Sequence, residues 1–210
     1  MASVRGLTEG VPGALLPELT TERLCVRLAR PGMEAALARF WTENFAGHLD
    51  RWSPPVGPAQ FTEAFWRERI AVGLEEFETG RSARFVLQPR GPASGPVIGT
   101  CNYTNIVRGP FQACHLGYQL ARSHEGQGFM SEALRAGDGF AFEELRLHRI
   151  MANYRPENER SARLLERLGF VREGIARDYL FVDGAWRDHV LTSLTHPGFD
   201  PTWIEPAGRG

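Results

Sequence analysis

Apolar side chains recur at period two over residues 20–29, with Leu24, Val26 and Leu28 on one face, which predicts a half-buried strand. After the Pro31-Gly32 break, Met33, Leu37, Phe40 and Trp41 recur at helical spacing. Residues 52–58 are too rich in proline for regular structure. A second helix then carries Phe61, Phe65, Ile70, Leu74 and Phe77 on one side and stops at Thr79-Gly80.

A meander follows, with strands at 83–88, 97–106 and 113–121 separated by turns over 89–96 and 108–110 that are dense in Gly and Pro. Past a short glycine loop, 129–147 reads as a long helix, 148–154 as a strand and 158–168 as a helix stopped by Gly169. Residues 170–195 alternate like two strands joined at Asp183-Gly184, the strongest hairpin signal in the chain. The order β-α-α-β-β-β-α-β-α-β-β predicts an α/β fold, a mostly antiparallel sheet with helices on both faces. The chain divides into a flexible segment over 1–18, one domain over 19–197 and a loose tail over 198–210.

Composition narrows the chemistry. The 210 residues suit one α/β domain, and a formal net charge of −1 argues against a duplex-DNA binder. No apolar run reaches the roughly 18 residues of a membrane span, and the apolar patch at 11–16 is too short and broken for a secretory signal. Three cysteines without CxxC spacing (Cys25, Cys101, Cys114) fit reduced thiols in a cytoplasmic protein. All 24 basic residues are Arg, so no Walker lysine, Schiff-base lysine or lysine base is available. The histidines 48, 115, 124, 148, 189 and 196 lack HxxH or HExxH spacing, and no metal site is expected.

Two motifs carry chemistry. Glu125-Gly126-Gln127-Gly128-Phe129-Met130 lies between a predicted strand and a predicted helix. Glycines there allow an anion close to unpaired N–H groups at the positive end of a helix dipole, the outline of a pyrophosphate cradle. A plain βα turn is the alternative reading. The second motif is Asn158-Glu-Arg-Ser161, running on to Leu-Gly-Phe170, in which Asn158 could equally cap a helix.

In this order the motifs resemble the GNAT superfamily of N-acetyltransferases, in particular the ribosomal-protein N-terminal acetyltransferases of the RimJ/RimL type, nearest the RimJ branch. The resemblance spans residues 19–197 and is most specific in VRGPFQACHLGY (107–118), HRIMANYRPENERSARLLERLGF (148–170) and ARDYLFVDGAWRDHVLTSLT (176–195). It implies a sheet splayed between two neighbouring strands, with acetyl-CoA as co-substrate inserted in the splay. The family's Q/R-x-x-G-x-G/A pattern falls on Glu125, Gly128 and Met130, with the first and last departing from it. Glu125 would have to turn away from a pyrophosphate, while backbone amides of Gly126, Gln127, Gly128, Phe129 and Met130 could still serve. The resemblance further implies that Leu120 and Ala121 pair with the pantetheine arm, Asn158 bonds the same arm and Ser161 sits near the thioester sulfur; Arg160 and Arg163, on the exposed side of the helix, could meet the 3′-phosphate, with a solvated face as the alternative.

Acetyl transfer to an amine needs a neutral nucleophile, an N–H donor for the developing oxyanion and a proton for the thiolate. The donor is expected from the backbone of Leu120 or Ala121, the thiolate proton from Ser161. A water relay through Tyr179 or Asp178 is the expected base, with Tyr118 and His115 on the central strand facing or backing the splay. Asp183, Asp188, Trp41, Trp52 and Trp186 are candidates for an acceptor groove, with core or edge roles as the alternative for the tryptophans. An α-amino acceptor, whose pKa lies near 8, asks less of a base than a lysine side chain. The expected acceptor is therefore the N-terminal Ala or Ser of a protein, a ribosomal protein by resemblance, with the ribosome as a further partner and a monomer or homodimer left open. A peptide acceptor predicts an open, acidic groove. A small amine or antibiotic predicts a closed pocket, and a ribosome-assembly protein with secondary acetyltransferase activity is a third reading.

Overall fold

The computed structural model describes residues 16–91 and 95–204. The expected flexible N-terminal segment lies almost wholly outside those residues, as do the middle of the 89–96 turn and the last residues of the tail. Among the described residues, eight strands form one sheet in the order β1-β2-β3-β4-β5-β6-β8-β7. They are β1 (Glu18–Thr20), β2 (Leu24–Leu28), β3 (Ala83–Pro89), β4 (Gly99–Val107), β5 (Ala113–Leu120), β6 (Arg149–Tyr154), β7 (Val171–Val182) and β8 (Ala185–Thr195). All neighbouring pairs are antiparallel except β5 and β6. Helices α1 (Glu34–Asn44) and α2 (Glu63–Glu78) cover one face, and α3 (Phe129–Glu143) with α4 (Glu159–Arg167) covers the other.

The α3 face is built from Phe85, Cys101, Leu116, Ile150 and Ala152 against Ala133, Leu134, Phe140 and Leu165. The α1/α2 face packs Leu37, Phe40, Trp41 and Ile70 on Val86. Period-two alternation sends neighbouring residues to opposite helical layers. Gly137 lets α3 close on β4: a Cβ there would stand 2.4 Å from the Tyr103 hydroxyl, which donates to buried Asp138 at 2.8 Å.

Three expectations change in detail. The strand expected over 20–29 is broken at Thr21, whose hydroxyl accepts from Leu24 N–H at 3.0 Å, and β2 is buried on both faces rather than one. Arg27 is tolerated there because Glu18 pairs with it at 3.2 Å. Helix α3 ends four residues before the expected 147. Arg146 takes a positive φ of 52°, Leu147 N–H closes back on Ala141 O at 3.0 Å, and the chain turns to start β6. The start of the tail is packed, with Phe199 and Trp203 lying edge-on to His196. No helix among the described residues is long and apolar enough to cross a membrane.

Candidate active site

The site begins with how β5 pairs. Towards β4 its register runs from Ala113 to Leu120, and Ala121 N–H continues it onto Ile98 O at 2.8 Å. Towards β6 the register runs only from Ala113↔Arg149 to Leu116↔Ala152. In an antiparallel pair alternate residues point their N–H and C=O to the same neighbour. Because Ala121 points to β4, Leu120 and Tyr118 point to the β6 side, where no strand meets them. The sheet is therefore splayed as the resemblance implied. Of the two residues expected to face the splay through their backbone, Leu120 does; Ala121 does not, since its N–H is already committed to β4.

Two groups fix the end of β5. Past α1 the chain leaves helical geometry at Ala46 and Gly47, bringing His48 to donate from Nε2 to the Leu120 carbonyl at 3.0 Å. Asn44, buried at the end of α1, accepts from Arg122 N–H at 3.1 Å. Sequence reasoning gave His48 no role, because its partner is 72 residues away and no local pattern marks it.

The glycine loop stands at the same end. Gly126 and Gly128 have φ of 73° and 82°, and Gly128 caps α3 without a side-chain bond. No protein acceptor meets the backbone N–H groups of residues 126 to 131 among the described residues. Arg23 braces the loop: it donates to Gln127 O at 2.9 Å, pairs with Glu132 at 2.7 Å and lies 4.4 Å over the Phe129 ring. Met130 is buried beneath. A row of bare N–H groups at a helix N-terminus is what a phosphate needs. Glu125 does not turn to solvent; it forms an ion pair with Arg160 across the gap between loop and α4. Arg163 pairs with Glu159 at 2.9 Å, so both arginines expected at a 3′-phosphate carry carboxylate partners here.

On α4, Asn158 caps the helix, its Oδ1 accepting from Ser161 N–H at 3.1 Å. Ser161 is buried and shares a 2.5 Å hydrogen bond with the Tyr118 hydroxyl. Burial pushes the Tyr118 phenol up to about 12, so it stays protonated at neutral pH. The Ser161–Tyr118 couple was missed from sequence. The signal lay in the alternation of β5, which puts Tyr118 on the face of Cys114 and Leu116, towards α4.

An open cleft of about 1680 Å3 runs past these groups onto the α1/α2 face. Tyr179, Trp41, Trp52, His115 and His189 line it; Asp178, Asp183, Asp188 and Trp186 do not. Asp178 sits exposed at a bulge in β7, at φ 44°, with its N–H donating to Asp188 Oδ1. Trp41 is core, stacked on Trp66, whereas Trp52 lies beneath the guanidinium groups of Arg51 and Arg155 at 4.9 and 5.5 Å. Asp183 instead ties Arg155 and Arg187 to the hairpin turn. Burial lowers the His115 pKa, which favours its neutral form. The groove is open, as a peptide acceptor predicts, but its charged lining is mostly arginine rather than acidic.

A sheet parted beside a glycine-opened helix, with a protonated hydroxyl couple in the gap, has the build of an acyl-thioester transferase. The profile of the acetyltransferase (GNAT) domain matches residues 23–171, and the chain belongs to that family of acetyltransferases. It is 43% identical over 183 residues to the ribosomal protein uS5-alanine N-acetyltransferase of Escherichia coli, covering 87% of this chain and 93% of that protein. The ribosomal-protein-S5-alanine acetyltransferase structure from Vibrio fischeri superposes with a TM-score of 0.83 at 36% identity, over 88% of this chain and 100% of that one. Mycobacterium smegmatis RimJ in complex with CoA-disulfide gives 0.77 at 32% identity, over 84% and 85% of the two chains.

Proposed function

We propose that this acetyltransferase transfers acetyl from acetyl-CoA to the N-terminal amine of a protein, an alanine or serine terminus of a ribosomal protein in the cytoplasm. The observation that carries this is the pair of N–H groups that β5 leaves without a strand partner at Tyr118 and Leu120, opening onto a cleft of about 1680 Å3. The names of the uS5-alanine relatives support the choice of acceptor. A small amine or antibiotic would call for a closed pocket, which this cleft is not.

The residues present fit acetyl-CoA. Free N–H groups at 126 to 131 would hold its pyrophosphate, and the open edge of β5, with Asn158 opposite, would hold the pantetheine arm. When bound, acetyl-CoA supplies the activated acetyl group. Leu120 N–H, fixed in a strand that is paired on its other side, is the donor for the developing oxyanion; such a donor contributes about 10²- to 10³-fold in rate. The Tyr118–Ser161 couple holds a proton within reach of the departing sulfur. Tyr179 helps form the acceptor wall. Holding both reactants side by side lowers the barrier further without a covalent enzyme intermediate.

The test is acetyl-CoA turnover, read as thiol release, on a panel of peptides with Ala, Ser, Met and acidic N-termini, alongside free lysine, polyamines and aminoglycosides. Turnover confined to Ala- or Ser-initiated peptides is expected. Turnover of the free amines alone would overturn the acceptor assignment.

A further inference from the structure

We propose that His189 is the base that takes the proton of the acceptor amine, a role that rests on the amine-acetylating reading above. Three observations converge on it. His189 is 4% exposed, yet its ring lines the cleft. Its Nδ1 lies 2.9 Å from the carbonyl oxygen of Arg187 in its own strand. A carbonyl can only accept, so Nδ1 carries the hydrogen, and Nε2 of the neutral ring is left with a free lone pair. No protein donor meets Nε2 among the described residues.

The register places His189 at the mouth of the splay. Tyr154, the last residue of β6, pairs with Val190, so His189 stands one step beyond the end of β6. Carrying the β5–β6 register forward from Leu116↔Ala152 sets this level beside Gln119, adjacent to Leu120. Val190 shares the α4 face with Tyr154, and alternation sends His189 to the α1/α2 face. Helices α3 and α4 close the other face, so an acceptor reaches the splay from the side on which His189 lies. Tyr179 covers the imidazole, with ring centroids 5.7 Å apart, brought there by the register shift in β7 between Ala176 and Leu180. Tyr179 is thus a positioning residue for His189, and Asp178, on the outer side of the bulge, takes no part.

Nε2 takes one proton from the acceptor's ammonium group, directly or through one water. The freed nitrogen pair forms the N–C bond to the thioester carbonyl carbon, and the C–S bond breaks with its pair on sulfur. Of the three ammonium protons, one stays on the amide, one replaces the proton that sulfur takes from the Tyr118–Ser161 couple, and one passes from Nε2 to water.

His189→Asn isolates the role, since the Asn amide N–H can still donate to the Arg187 carbonyl while the base at Nε2 is gone. In this variant we expect kcat on an Ala-initiated peptide to fall at least about 100-fold, with the KM for acetyl-CoA and the melting temperature close to wild type. His189→Gln is expected to behave alike. Independently of turnover, ¹H–¹⁵N NMR of histidine-labelled wild type, assigned with the variant, is expected to show His189 as the Nδ1–H tautomer. A kcat within about threefold of wild type in either variant, an Nε2–H tautomer, or loss of CoA binding along with activity would each overturn the proposal. If wild type acetylates no N-terminal peptide, the acceptor reading fails instead, and His189 is tested on the amine that wild type does acetylate.

Discussion

Along β5, the edge facing β4 is paired as far as Leu120 and on through Ala121, whereas the edge facing β6 loses its partner after Leu116. The backbone chemistry of the two edges is the same. What differs is that β4 continues alongside and β6 ends at Tyr154, after which the chain turns into α4. The paired edge supplies rigidity, reinforced by buried Tyr103 and Asp138 behind β4. The bare edge supplies N–H donors that no neighbouring strand meets. A binding edge is made here by withholding a partner from a strand that is held firmly on its other side.

Breaking the difference should have its largest effect at Leu120. Leu120→Pro removes an N–H from the bare edge without deleting a ladder bond. We expect kcat to fall about 10²- to 10³-fold, with CoA still bound. Ala121→Pro deletes an N–H on the paired edge and should lower the melting temperature, with a smaller effect on kcat. Equal kcat losses in the two variants, read in steady-state assays, would erase the distinction between the edges.

On the paired side, burial pushes the Asp138 carboxyl from its ordinary 3.8 up to about 7, partly offset by the Tyr103 hydroxyl. The folded chain thus holds a proton that the unfolded chain gives up. The resulting stabilisation is full below about pH 4 and is lost as pH rises through about 7. Denaturation from pH 5 to 8 should show wild type losing about 2 kcal/mol that Asp138→Asn does not lose. Parallel pH dependence in the two proteins would refute the assignment.

The smallest expected effect is at the loop. Gly128→Val forces a branched side chain into the left-handed region at the mouth of α3. We expect CoA affinity, measured by calorimetry, to weaken about tenfold at a cost to folding of about 1–2 kcal/mol. Unchanged affinity would mean that the loop does not shape the pyrophosphate site.

Much of this was legible in the sequence because it is local. The Asp183-Gly184 hairpin, the glycine loop before α3 and the Asn158 cap each depend on residues within a few positions of one another. What escaped depends on register and distant pairing. Periodicity cannot tell which edge of β5 Ala121 faces, because that is set by its bond to Ile98. The register shift between Ala176 and Leu180 turns Tyr179 into the cleft and leaves Asp178 outside, and alternation read through that stretch treats the two as equals. Glu125 looked misplaced beside a pyrophosphate because its partner, Arg160, lies 35 residues away on α4. Helical spacing showed Arg160 as exposed but not what it faces.

If the bare edge of β5 receives the thioester-bearing arm, amide hydrogen exchange resolved at single residues will register it. In the free protein the N–H groups of Tyr118 and Leu120 should exchange fast while those of Gln119 and Ala121, bonded towards β4, are protected. Adding CoA should slow Tyr118, acetyl-CoA should slow Leu120 as well, and the other two should stay nearly unchanged. Protection of Tyr118 and Leu120 in the free protein, or no change at either with acetyl-CoA bound, would show that the edge does not receive the arm.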